Sequence, residues 1–171
     1  MLFRSAALDI LGIPYQPHAS LVSIASLEHR LEKVAEINGT VFYNDSKSTT
    51  PTSTLAAIEQ FKDKRILLFL GGLNKGIDRE PLIKALTRYT VHVFCFGKEA
   101  TSIKTLCDSF SIPAHDFANL EDSFHASTQL LHHNDCVLFS PSGSSYDLFR
   151  DYQERGNTFK KLVVDHKKNC G

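Results

Sequence analysis

This sequence has no excess of charge of either sign: Lys and Arg number 19, Asp and Glu 19, across 171 residues. A balanced chain has no field that would draw it to nucleic acid or to an anionic membrane surface, although a local phosphate pocket needs no net charge. No apolar run reaches the roughly 18 residues of a membrane span. The opening segment MLFRSAALDILGIP carries Arg4 within its apolar stretch, so it reads as a short amphipathic helix rather than a secretory leader. Cysteine is scarce. Cys95, Cys107, Cys136 and Cys170 include no CxxC and no zinc-ligand spacing. Cys95 and Cys136 sit in the apolar runs VHVFCF and DCVLF and read as small buried hydrophobes. A chain of this size folds without a disulfide framework, so a reducing, cytoplasmic setting is expected. Internal repeats and low-complexity tracts are also absent. So are the GxxxxGK[ST] phosphate loop and the GxGxxG fingerprint with its following acidic residue. Spacing assembles no Ser/His/Asp set, so no catalytic nucleophile is assigned, and no metal ligands are assigned either.

What is present is alternation. Hydrophobic residues make up 42% of the chain, enough for one domain with a substantial core. Helix spacing over residues 1–12 and a second short helix near 21–27 set residues 1–28 apart as an appendage. From Leu31 the pattern changes. EKVAEI, Asn38-Gly39 and TVFYND predict a hairpin, because Asn-Gly accepts the positive φ angles of a tight turn. A helix follows from Pro51, then the strand RILLFLGG, a helix over 80–88, the strand VHVFCFG, a helix over 99–110 and a short strand at 114–117. A helix over 120–132 and the strand DCVLFSP complete the series, and the stretch from Asp147 reads as one or two helices broken near Gly156. Strands that are apolar throughout are buried on both faces. The expected fold is therefore α/β, an open, mainly parallel, Rossmann-like sheet flanked by helices.

Ligands in such sheets bind beyond the carboxyl ends of the strands. Three predicted strand ends carry polar clusters: Asp45-Ser46-Lys47-Ser48-Thr49, Gly71-Gly72-Leu73-Asn74-Lys75-Gly76, and Ser140-Pro141-Ser142-Gly143-Ser144-Ser145. A helix N-terminus attracts anions, and Lys47, Lys75 and several hydroxyls add charge and donors. Each cluster has a plainer reading: an Asp or Ser helix cap, a glycine-rich turn with an exposed lysine, a Ser-rich cap. Arg30 precedes the first strand and suits either a phosphate or a surface ion pair. His132-His133 beside Asp135 reads as positive charge at a helix end. Three clusters after three core strands point to one shared site.

Taken in order, these segments resemble the Mur ligase family, and within it the D-glutamate-adding members. LEHRLEKV, NGTVFYNDSKSTTPTSTLAAI, LFLGGLNKG, VHVFCFG and VLFSPSGSSYDLFRDYQERGNTF carry the resemblance, the last being the longest. It implies a C-terminal ligase domain over 29–171, with residues 1–28 the tail of a central ATPase domain and its linker. It implies an ATP- and Mg2+-dependent reaction in peptidoglycan synthesis. The carboxylate of UDP-N-acetylmuramoyl-L-alanine becomes an acyl phosphate, which the amine of D-glutamate attacks. By motif match, Lys47, Thr49, Lys75, Ser145 and Tyr152 would hold D-glutamate, and His29, Arg30 and Asp45 would serve the nucleotide. The sequence departs from the family pattern at Thr50 (usually Asn), Asn74 (commonly Asp) and Tyr152 (usually Phe). With neither phosphate loop nor UDP-binding domain, the chain alone is expected not to ligate. The alternatives are another Mur or folylpolyglutamate-synthase-type ligase domain, or a non-catalytic nucleotide- or anion-binding module.

Overall fold

The computed structural model describes residues 27–170, so the helices expected before residue 27 lie outside the described residues. The predicted hairpin is β1 (Glu32–Ile37) and β2 (Thr40–Asn44), paired antiparallel. Asn38 and Gly39 turn it with φ of 48° and 81°. The remaining elements are α1 (Pro51–Glu59), β3 (Ile66–Gly71), α2 (Glu80–Leu86), β4 (Val91–Phe96), α3 (Ala100–Ser109), β5 (Ala114–Phe117), α4 (Leu120–Thr128), β6 (Cys136–Phe139) and α5 (Tyr152–Asn169). One six-stranded sheet has the order β1-β2-β6-β3-β4-β5, parallel except at β1.

Strand side chains alternate between faces, so each buried strand feeds two cores. Leu68 and Leu70 of β3 join Ile58, Leu82, Ile83 and Ile103 from α1, α2 and α3 on one face. Leu67 and Phe69 turn to the other face, against Phe124 of α4 and Phe159 and Val163 of α5. There Phe139 and Phe159 stack at 4.5 Å with planes 7° apart. Because β6 lies between β2 and β3, the chain must cross the sheet to reach it. The loops leaving these three neighbours meet at the switch point where α/β sheets form crevices.

Two expectations are corrected. The C-terminal stretch is not broken at Gly156: α5 runs unbroken for 18 residues from an Asp151 cap whose carboxylate accepts from Glu154 N–H at 2.7 Å. The helix α4 ends at Thr128, so His132 and His133 sit in the turn beyond it, where the His132 carbonyl accepts from the Thr40 hydroxyl at 2.9 Å.

Candidate functional site

Backbone hydrogen bonds lace the three strand-end loops together. Ser142 N–H donates to the Ser48 carbonyl at 3.0 Å, and Gly71 N–H to the Pro141 carbonyl at 2.9 Å. Leu73 and Ser144 form an antiparallel bridge, exchanging bonds of 2.9 and 2.8 Å. The Leu73–Ser144 bridge joins the second loop to the third, and Lys75 Nζ lies 5.5 Å from the Tyr146 ring centroid.

The first loop reaches the start of α5 instead. Lys47 Nζ donates to the Tyr152 hydroxyl at 3.2 Å and lies 4.9 Å from its ring centroid. The α1 cap is neither Asp45 nor a serine, as the plainer reading had it, but Thr50. Thr50 and Ser53 exchange side-chain-to-backbone bonds of 3.3 Å in a capping box. Asn would cap as well, which gives Thr50 a structural reason of its own. Asn74 also shapes its loop: its side-chain oxygen accepts from Gly76 N–H at 2.9 Å, as an aspartate would.

Arg30, Leu31, Asp45, Lys47, Thr49 and Gln60 help line an open groove of about 830 Å³ beside α1. Arg30 is exposed at its edge. Lys75, Ser145 and Tyr152 are not part of that lining. The fold thus gathers the predicted residues at one edge of the sheet but distributes them between this groove and the Lys75–Ser145–Tyr146 side of the laced loops.

Asp45, expected at a nucleotide-contacting position, and His29, expected to orient that region, are both buried beside this groove. The Asp45 carboxylate, 4% exposed, accepts from Leu31 N–H at 3.2 Å and from the Ser140 hydroxyl at 2.8 Å. Burial pushes its carboxyl above the usual range, while hydrogen bonds from Ser48, Ser140 and Leu31 pull the other way. His29 is buried with φ of 63° and packs edge-on against Tyr152 at 5.8 Å. Its Nδ1 lies 2.9 Å from Asn44 Nδ2; with that amide donating, Nδ1 accepts and stays unprotonated. Burial accordingly lowers the affinity of the ring for a second proton. Gly156 makes room for this histidine, since an added Cβ would fall on His29 Nδ1.

Sequence reasoning assigned no role to Arg155, and it joins the site together. Wholly buried, it donates from Nη2 to the Ser46 carbonyl at 2.7 Å, from Nε to the Ser46 hydroxyl at 3.1 Å and from Nη1 to the Gly143 carbonyl at 2.8 Å. Burial lowers its pKa to about 10. Arg79 was missed too; it is buried and donates to the Gly72 carbonyl at 2.7 Å. In sequence Arg155 reads as an ordinary helical arginine, and Arg79 precedes the predicted helix of 80–88. The one local hint is the Gly156 beside Arg155, a residue that a helix interior otherwise disfavours.

Fold and site together define a doubly wound α/β domain with cations and hydroxyls at a switch-point edge. A family profile described as "Mur ligase, glutamate ligase domain" matches residues 29–143, and the chain belongs to the Mur ligase family. Curated relatives named UDP-N-acetylmuramoylalanine--D-glutamate ligase include one from Oleidesulfovibrio alaskensis, 40% identical over 149 residues, covering 87% of this chain and 33% of the relative. Another, from Nitrosomonas eutropha, is 34% identical over 160 residues, covering 92% of this chain and 34% of the relative. The chain therefore spans about a third of the length of the curated relatives it matches. Among solved structures, the MurF ligase of Thermotoga maritima in complex with ADP has a TM-score of 0.64 at 15% identity, covering 94% of this chain and 37% of that one. The bifunctional folylpolyglutamate synthase/dihydrofolate synthase of Yersinia pestis has a TM-score of 0.62 at 15% identity, covering 92% and 37%. These likenesses establish the α/β fold expected from the sequence.

Proposed function

We propose that this chain is the amino-acid-binding domain of a ligase that joins D-glutamate to UDP-N-acetylmuramoyl-L-alanine in cytoplasmic peptidoglycan synthesis. The observation that carries this reading is the lacing of three strand-end loops that bear Lys47, Thr49, Lys75 and Ser145. Two ammonium groups and two hydroxyls suit a small ligand with two carboxylates, because charge-assisted hydrogen bonds are the strong ones. The names of the curated relatives support the same amino acid.

ATP, when bound, supplies the phosphoryl group that activates the alanyl carboxylate as an acyl phosphate; the D-glutamate amine then displaces phosphate. The work assigned to this chain is positioning. Lys47 and Lys75 neutralise and orient the two carboxylates so that the amine is presented to the acyl group. Arg30, exposed at the groove, has the right chemistry to meet a nucleotide phosphate, and His29 and Asp45 hold the turn that carries it. Magnesium is assigned no ligand in this chain; among the described residues no group of three or more His, Cys, Asp or Glu is placed to hold a metal ion. Its ligands and the phosphate loop are assigned to the part of the relatives' length that this chain does not span. The chain alone is accordingly expected to bind the amino acid without ligating it.

Isothermal titration of the chain with D-glutamate and with L-glutamate tests this. D-glutamate should bind in preference, with Lys75→Ala and Ser145→Ala each weakening it about 10-fold, the effect of one lost charged hydrogen bond. Absence of D-glutamate binding at millimolar concentration, or binding indifferent to Lys75→Ala, would overturn the proposal.

A further inference from the structure

Lys75 is presented by a turn that a lysine does not adopt on its own. Its φ is 53°, in the left-handed region that favours glycine, and its side chain is exposed. Something must therefore hold the turn. From within the loop the Asn74 side chain accepts from Gly76 N–H at 2.9 Å and the Asn74 carbonyl from Ile77 N–H at 3.0 Å, and a further hold comes from outside it. Glu99, at the start of α3, accepts from Asn74 N–H with Oε1 at 3.1 Å, while its Oε2 meets the buried Arg79 guanidinium. Arg79 in turn donates to the Gly72 carbonyl at 2.7 Å, and its Nε has no partner among the described residues. The arginine is thus kept in place by those two contacts, and Glu99 ties both ends of the Gly72–Lys75 turn. The same β4–α3 connection is gripped from the third loop, where Asp147 accepts from Lys98 N–H at 3.2 Å. Glu99 belongs to none of the three loops, and the sequence reading gave it no part in the site.

We propose that Glu99 is a positioning residue for amino-acid binding, its carboxylate bridging Asn74 N–H and Arg79 so that Lys75 is held facing the ligand beside Ser145. The proposal rests on the reading of Lys75 as an amino-acid ligand and adds the device that aims it. The bridge needs two acceptor oxygens. Glu99→Gln offers one oxygen and one NH2 group, so it can serve Asn74 or Arg79 but not both.

The test is a double-mutant cycle on this chain, read by D-glutamate titration, with amide hydrogen exchange of Asn74 measured in the free protein. Glu99→Gln should weaken D-glutamate about 5-fold, the value of one hydrogen bond, and should add nothing in a Lys75→Ala background. A residue that merely stabilises the fold would give losses that multiply. The Asn74 amide should exchange about 10-fold faster in Glu99→Gln. Arg79→Lys, which removes the Gly72 contact and leaves Glu99 a cationic partner, is the second variant should Glu99→Gln fail to fold; it should show a smaller loss, again absent without Lys75. Wild-type affinity in Glu99→Gln, losses that multiply with Lys75→Ala, or unchanged Asn74 exchange would each overturn the proposal. Should the wild-type chain not bind D-glutamate, the ligand reading falls by itself, and Asn74 exchange still decides whether Glu99 sets the turn.

Discussion

Replacing Arg155 with methionine tests whether one buried guanidinium holds two strand-end loops in place. Arg155 makes three hydrogen bonds, two to Ser46 and one to Gly143. Bonds from a charged donor contribute about 1.5–3 kcal/mol each, so their gross loss is about 4–9 kcal/mol. The burial that lowers the arginine pKa to about 10 works against it. At about 1.4 kcal/mol per pKa unit, that burial costs roughly 3 kcal/mol, which methionine avoids. The difference leaves a net destabilisation of about 1–6 kcal/mol, with a central value of about 3. For a chain of this size that is a fall in melting temperature of roughly 6–12 °C. Binding should suffer separately. The Ser46–Ser48 segment loses its anchor, so D-glutamate affinity measured well below the melting point should drop more than about 10-fold. Arg155→Lys should lie between, since one ammonium cannot reach both carbonyls in the geometry of the fork. Thermal unfolding by circular dichroism and titration calorimetry read the two effects. A melting temperature within about 2 °C of wild type, with affinity unchanged, would refute the reasoning.

Three further outcomes are expected. Gly156→Ala should destabilise by up to about 2 kcal/mol, because crowding of its Cβ on His29 Nδ1 costs about 1–3 kcal/mol and alanine recovers roughly 1 kcal/mol in a helix; chemical denaturation that finds it more stable would contradict the packing. Burial lowers the pKa of His29, His92 and His166, so the unfolded chain binds more protons as pH falls. The stability they contribute is full above about pH 6.5 and lost as pH falls through the lowered folded values. The melting temperature should therefore drop between pH 7.5 and 5.5, and less steeply in His29→Asn, which also tolerates positive φ; an equal drop in both would place the titration elsewhere. Asp45 has the opposite sign: its folded pKa is raised by burial, so its contribution is full below about pH 3.9 and is lost as pH rises through the folded value. Asp45→Asn should lie within about 1 kcal/mol of wild type at pH 7, and a fall in melting temperature above about 4 °C would show instead that the charge is needed.

The sheet was legible because its evidence is local. Four-residue runs such as CVLF are buried throughout in β6, Asn38-Gly39 takes the positive φ angles a hairpin needs, and Pro51 opens a helix in its first turn. The polar clusters after β2, β3 and β6 were legible for the same reason, and strand order then brought them together. What could not be read was long-range. Gly156 looks like a helix breaker until His29, far away in sequence, is found in the space that its missing side chain leaves. Arg155, Arg79 and Glu99 look like surface charges on or beside helices, and only tertiary contact turns the two buried arginines and the half-buried Glu99 into ties between loops. Asp45 looks like a cap or ligand because its sequence neighbours are polar; its partners, Leu31 N–H and Ser140, lie on other elements.

Amide chemical-shift mapping of the chain during a D-glutamate titration tests most directly whether the laced loops form one amino-acid site. The amides of Lys47, Thr49, Lys75 and Ser145 should move together, along one saturation curve. Movement confined to the groove between Arg30 and Gln60, with Lys75 and Ser145 still, would contradict it.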